Sequence, residues 1–199
     1  MPKGWRDWFR RVLEKKARDW EIYDLNQCLT LSLSGMERND SLLISASYFW
    51  SNSLNAFVFG HGPMTITLVD NYILTGLRIT GSIQPYDFLS AGSKKLAKIS
   101  DYIRWISYIL NHIGDVSILD EREHVAFLNM WLEKFIFYGL SCGPTYNHKY
   151  MAERLATDNE IPLRKYLLGS AYHLMHQVSV THKLDDNCIF GPVRSANLN

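Results

Sequence analysis

The sequence predicts a mainly α fold: a single helical domain with one small β-hairpin at about residues 54–67 and an amphipathic, basic N-terminal helix. Three observations predict it. Apolar residues recur at three- and four-residue intervals along most of the chain, the period of a helix with one buried face. That period gives way to a short apolar run only around residues 54–67. A length of 199 residues with 47% hydrophobic and 13% aromatic content supplies one domain's core and excludes a largely disordered chain.

Taken in order, Trp5, Trp8, Phe9, Val12, Leu13 and Trp20 place a helix over residues 4–20. Leu25 to Leu33 is apolar without a decisive period and closes at Ser34-Gly35. Asn39 or Asp40 offers a cap for a helix to about Ser51, with Leu42, Leu43, Ala46, Phe49 and Trp50 as its apolar residues. Leu54 to Phe59 reads as a strand, Gly60-His61-Gly62-Pro63 as a reversal and Met64 to Thr67 as the returning strand. Thr67 can cap a helix with Asp70 near its positive end, Leu68, Ile73 and Leu74 as its apolar face and Gly76 as a left-handed stop. Residues 78–97 read as a loop, with room for one short strand at Arg78 to Thr80.

The C-terminal half is more plainly helical. Ile99, Ile103, Ile106, Ile109 and Leu110 with Trp105 describe a helix to His112, stopped by Gly114. Asp120 and Glu123 have the spacing of a capping box. The helix after them, with Val125, Phe127, Leu128, Trp131, Leu132, Phe135 and Ile136, is apolar over more than one face and belongs at the centre of the bundle. Gly139 ends it, Ser141 to Thr145 is a turn, and helices over 147–156 and 162–182 complete the pattern.

The formal net charge of +1 gives no global field toward nucleic acid or membrane. It is unevenly spread. Lys3, Arg6, Arg10, Arg11, Lys15, Lys16 and Arg18 face only Asp7 and Glu14 in the first 18 residues, so a basic leader precedes a mildly acidic body. These seven residues are the candidate contacts to nucleic-acid phosphates or an acidic partner, weak and salt-sensitive. The alternative is an edge helix with aromatics docked and charges in water. No apolar run approaches the roughly 18 residues of a membrane span, and the N-terminus lacks the apolar core of a secretory signal. Cys28, Cys142 and Cys188 are odd in number and widely spaced, which favours a reducing compartment.

No recognisable catalytic apparatus emerges. His173 and His176 share a helix face, with His182, Cys188, Cys142 and His148 as further metal-ligand candidates, but no closely paired ligands occur. Cys142 with His124 or His148 is the nearest nucleophile–base pair and lacks an orienting group. Gly60-His61-Gly62 has no following Lys-Ser/Thr, so it is not a P-loop. The carboxylates Asp70, Asp87, Asp101, Asp115, Asp120, Glu123, Glu133 and Glu153 are scattered rather than clustered for metal-dependent strand transfer. The reading is therefore no catalytic residues, no metal and no cofactor.

Phe49-Trp50, Leu54 to Phe57, Gly62 to Thr65, and Leu68, Asp70 and Leu74 to Leu77 resemble the opening half of the plant mobile domain. A second block agrees: Arg122 to Leu128, Met130 to Phe137, Ser141 to Thr145 and Ile161 to Gly169. The resemblance covers residues 20 to 183. It divides the chain into a basic helix at 1–20, a plant mobile domain-like body at 21–190 and a divergent tail at 191–199. Family members continue with a Gly-Pro-Trp-Trp type segment, whereas Gly191-Pro192 here runs into Val193, so a C-terminally truncated copy is expected. The family-motif residues Phe49, Trp50, Gly62, Pro63, Met64, Thr65, Thr67, Asp70, Gly76, Trp131, Gly143 and Pro144 read as structural.

The resemblance implies a non-enzymatic, transposon-derived interaction module of the Maintenance of Meristems type. Its expected setting is a nuclear assembly linked to transposon silencing, gene expression and meristem or developmental maintenance, with a phosphatase-like protein partner. The family's "aminotransferase-like" label would require a Schiff-base lysine in a large α/β frame, which this helical periodicity does not supply. Three alternatives stay open: a nucleic-acid-associated or hydrolytic enzyme of transposable-element origin, a non-functional truncated copy, and a cytoplasmic rather than nuclear location.

Overall fold

A computed structural model describes residues 2–35, 39–81, 105–114, 119–137, 144–145, 147–157 and 161–181. Among the described residues there are eight helices and one three-stranded antiparallel sheet. None of these helices is long and apolar enough to cross a membrane. The predicted mainly α class with a small β element is what forms. The chain divides into two compact units, one from residues 1–35 and 68–167, the other from 36–67 and 168–199.

The first unit is built on α1 (Trp5–Ile22), α2 (Asn26–Leu31), α4 (Leu68–Thr75), α5 (Trp105–His112), α6 (Glu121–Trp131), α7 (Lys149–Ala156) and the start of α8 (Leu163–Thr181). α1 is amphipathic as its spacing predicts, and Trp5, Trp8, Phe9, Val12 and Trp20 are all buried. They close on Phe127 of α6. Trp5 stacks on that ring at 4.7 Å, Trp20 lies nearly parallel at 5.5 Å and Trp8 meets it edge-on at 5.4 Å. Such aromatic pairs add about 0.5–1.5 kcal/mol each beyond the area they bury. α6 is buried from Glu123 to Trp131 apart from Val125, and continues as a π-helical turn over Leu132–Ile136. The wide apolar helix expected at the centre is at the centre. α7 packs against it through Met151, Ala152 and Leu155.

The second unit contains α3 (Asp40–Ser47), β1 (Trp50–Ser51), β2 (Ala56–Phe59), β3 (Gly62–Met64) and the rest of α8. Asn39 is the cap of α3, its Oδ1 accepting from the Leu42 amide at 2.9 Å. The sheet order is β1-β2-β3, with Trp50 opposite Phe57 and Phe57 opposite Met64.

Several local expectations are corrected. α3 stops at Ser47 rather than Ser51, because Phe49 and Trp50 are taken by the sheet: the Val58 amide bonds the Phe49 carbonyl at 2.7 Å. The reversal is confined to Gly60-His61, and Pro63 lies within β3. As an edge strand β3 tolerates a residue without an amide hydrogen. Residues 78–81 form no strand, and the remainder of the 78–97 loop lies outside the described residues. In α5 the buried face is Trp105, Tyr108 and Ile109, while Ile106 and Leu110 are exposed; the part of that helix expected before Trp105 is outside the described residues. Asp120 stands at the start of α6 with no side-chain cap, so the expected capping box does not form.

Candidate functional site

The basic residues of α1 divide by direction. Lys3, Arg6, Arg10, Lys15 and Arg18 are exposed; Arg10 lies 3.7 Å from Asp7, and the half-buried Lys16 pairs with Asp19 at 2.8 Å. Arg11 turns inward instead. Its Nε donates to Glu123 Oε1 at 2.9 Å and a terminal nitrogen to Oε2 at 3.0 Å. Trp8 Nε1 also donates to Oε1 at 3.0 Å, and the Gly114 amide donates to Oε2 at 3.1 Å. A buried carboxylate accepting four hydrogen bonds from three groups, one of them a bidentate guanidinium, is a structural knot. That is why Glu123 is unavailable for capping α6.

The titratable groups considered for catalysis are dispersed. His124 is buried, and its Nε2 accepts from Trp20 Nε1 at 3.2 Å. Burial, reinforced by the Lys16 charge and opposed by Asp19, pushes its pKa down to about 4. His148 stacks on Phe137 at 4.9 Å. His173 and His176 lie exposed on the part of α8 that belongs to the second unit, with His173 Nε2 3.0 Å from Gln177 Nε2. Burial drives the Cys28 thiol up to about 12, so it stays protonated. Cys142, His182 and Cys188 lie outside the described residues. Among the described residues no group of three or more His, Cys, Asp or Glu could hold a metal ion.

The family-motif residues occupy scaffold positions. Trp50 is buried and meets Phe57 edge-on at 5.0 Å, while Phe49 is exposed. Gly62 has φ +131°, Pro63 and Met64 line β3, and Thr65 Oγ1 donates to the Asn55 carbonyl at 2.6 Å. Thr67 directly precedes α4, and Asp70 lies in its first turn. Gly76 has φ +69°, the left-handed stop expected of it. Trp131 and Pro144 are buried, and Gly143 lies outside the described residues. Beside Pro144, Thr145 is held by Glu133, whose Oε2 accepts the Thr145 amide at 2.7 Å.

α4 departs most from expectation. Of its predicted apolar face Leu68 is half-buried, but Ile73 and Leu74 are turned out, 68% and 63% exposed, and Val69 (64%) and Tyr72 (54%) join them. The residues turned in are Asn71 and Thr75. Thr75 Oγ1 donates to the Asn71 backbone carbonyl at 2.5 Å and accepts from the Leu77 amide at 3.3 Å, so Thr75 is satisfied locally, whereas the Asn71 side-chain Nδ2 is buried without a partner among the described residues. Gln27 of α2 caps the far end, its Nε2 donating to the Ile73 and Leu74 carbonyls at 3.3 and 3.1 Å.

Beside α4 lies an open cleft of about 730 Å³, lined among others by Glu21, Asp24, Gln27, Tyr72, Arg78 and Arg164. Arg78 is neutralised by Asp24 at 2.6 Å and also reaches the Ile22 carbonyl. Arg164 stands over the Tyr72 ring, 4.3 Å from its centroid. Neither Arg164 nor Tyr72 is a site residue in the sequence reading. The available signal was Arg164-Lys165 at the start of a helix, where cations oppose the dipole.

One of three comparisons with known proteins agrees with the sequence blocks, the match to a family model. Neither a search of curated proteins nor one of solved structures found a match. The model of the plant mobile domain family matches residues 22–193, beginning at the last residue of α1 and spanning most of the chain. The chain belongs to the plant mobile domain family.

Proposed function

We propose that this chain is a non-enzymatic, transposon-derived interaction module acting in a plant nuclear assembly. The roles proposed for that assembly are transposon silencing, gene expression and meristem or developmental maintenance, with a phosphatase-like protein as partner. The observation that carries the interaction reading is the outward apolar face of α4. An eight-residue helix with Val69, Tyr72, Ile73 and Leu74 in solvent and Asn71 and Thr75 inside is inverted relative to a helix that serves only its own core. Neighbouring apolar side chains on one short helix suit the helix-in-groove or groove-over-helix modes of protein recognition.

The test is proximity labelling from plant nuclei with the full chain and with Val69→Ser/Ile73→Ser. Both positions are solvent-facing, so folding should survive. Nuclear partners enriched by the parent and lost with the double variant are the expected result. Equal labelling by both, or no partner with either, would overturn the reading.

A second reading is favoured by the exposed side of α1. Lys3, Arg6, Arg10, Lys15 and Arg18 can track a phosphate backbone without sequence preference. It expects weak binding to duplex DNA or to RNA that falls steeply with salt, and that is lost on changing Arg6, Lys15 and Arg18 to Gln. Binding indifferent to salt or to those changes would remove it.

A further inference from the structure

Arg164 is only 8% exposed, yet its guanidinium makes no hydrogen bond or ion pair among the described residues, and its Nε is buried without a partner. A buried cation in that state is costly. The Tyr72 ring offsets only part of the cost, since cation–π contacts contribute about 0.5–2 kcal/mol. Its location deepens the deficit. Arg164 and Lys165 stand in the first turn of a 19-residue helix, at the positive end of the dipole, with no acidic residue in that turn.

Arg164 also lines the cleft beside α4, and the charge there can be counted. Arg78 and Asp24 neutralise each other, and Gln27 spends its donors on the α4 carbonyls. Glu21 lines the cleft as a second, exposed carboxylate. Two cations thus face two carboxylates and the lining is neutral as a whole, so the unmet demand is local to Arg164, whose guanidinium lacks an acceptor in contact among the described residues. An added group should carry no more than a single negative charge and present two oxygens to the guanidinium edge. A phosphate dianion would meet two carboxylates with a single uncompensated cation to hold it. Tyr72 and Ile73 belong both to the cleft lining and to the outward apolar face of α4, so anion site and apolar surface are continuous.

We infer that this cleft receives an Asp or Glu side chain from a partner protein segment whose neighbouring apolar side chains lie on Val69 and Ile73. The inference rests on the interaction reading above and names the chemistry of the partner. Arg164 would hold the carboxylate in a bidentate pair while stacked on Tyr72, a geometry lysine cannot reproduce.

The experiment is selection of phage-displayed random peptides on the full chain, followed by titration of synthetic copies. The expected peptides carry an Asp or Glu within one helical turn of large apolar residues. Replacing that acid by its amide should weaken binding roughly 10- to 100-fold, the value of a charge-assisted hydrogen-bonded pair. Arg164→Met should weaken the parent peptide by a similar factor and leave the amide twin unchanged. Should Arg164→Met fail to fold, Arg164→Lys keeps the charge, loses the fork and should still weaken the acidic peptide several-fold. Peptides that need Val69 and Ile73 but carry no acid would overturn this inference and leave the interaction reading standing. Displacement by inorganic phosphate at concentrations where acetate has no effect would also overturn it, assigning the cleft to phosphate groups. Enrichment of no peptide, together with no nuclear partner, would remove both readings.

Discussion

Glu123 shows how a single residue can carry more structure than its sequence neighbourhood reveals. Its spacing from Asp120 fits a capping box, but its partner Arg11 is 112 positions away and no local rule encodes that pairing. Glu123→Ala would strip Arg11, Trp8 and the Gly114 amide of their shared acceptor at once. Breaking a buried pair from one side costs about 3–5 kcal/mol, so urea denaturation should show a loss of that order. The adjacent His124 sets the acid limit. Its folded pKa lies near 4 against an ordinary 6.5, so as pH falls below 6.5 the unfolded chain protonates first and stability drains away until about pH 4. The loss is on the order of 3 kcal/mol across that window. Urea midpoints between pH 7 and 4 should fall for the parent and fall less steeply for His124→Gln.

Elements whose apolar period matches their burial were legible: α1 and α6 lie where their spacing placed them, and α7 falls within the range 147–156 expected of it. α4 and α3 were legible in existence but not in orientation. Leu68, Ile73 and Leu74 look like a core face because burial is the usual fate of such residues, and nothing in an eight-residue window says that Asn71 and Thr75 turn inside in place of Ile73 and Leu74. α3 ends early because pairing of Trp50 with Phe57 outweighs helical continuation, a tertiary effect that local propensity does not contain. The α4 stop was readable from Gly76 alone. Its φ of +69° and the 2.8 Å approach of an added Cβ to Gln27 Oε1 make Gly76→Ala doubly unfavourable. The substitution should cost about 2 kcal/mol in thermal or urea unfolding, from the left-handed backbone and the disturbed Gln27 cap.

At the scale of the whole molecule, α1 precedes the start of the family match except for its last residue, yet its aromatics fill the core of the first unit. Charge segregation advertised this helix as a basic arm, and the same residues that make it basic mask how deeply its other face is engaged. Removing residues 1–21 would delete Trp5, Trp8, Phe9, Val12 and Trp20 and leave Glu123 without its cation. At about 3–5 kcal/mol for each large aromatic lost from a core, the sum matches or exceeds the roughly 5–15 kcal/mol that holds an ordinary domain. A chain starting at residue 22 should lose its near-ultraviolet circular dichroism and its cooperative melting transition. Retention of both would show that α1 is dispensable. The candidate cleft was the least legible feature. Arg164 and Tyr72 lie nearly half the chain apart, and only folding shows that the cation is buried and unmatched among the described residues.

The six tryptophans are unevenly shared: Trp5, Trp8, Trp20, Trp105 and Trp131 belong to the first unit, and Trp50 alone to the second. The protein thereby carries its own optical labels. Trp50→Phe would silence the second unit and let indole emission report the first alone, while the difference from the parent chain isolates Trp50. Whether the two units melt together or in sequence can then be read from intrinsic light, with no dye attached.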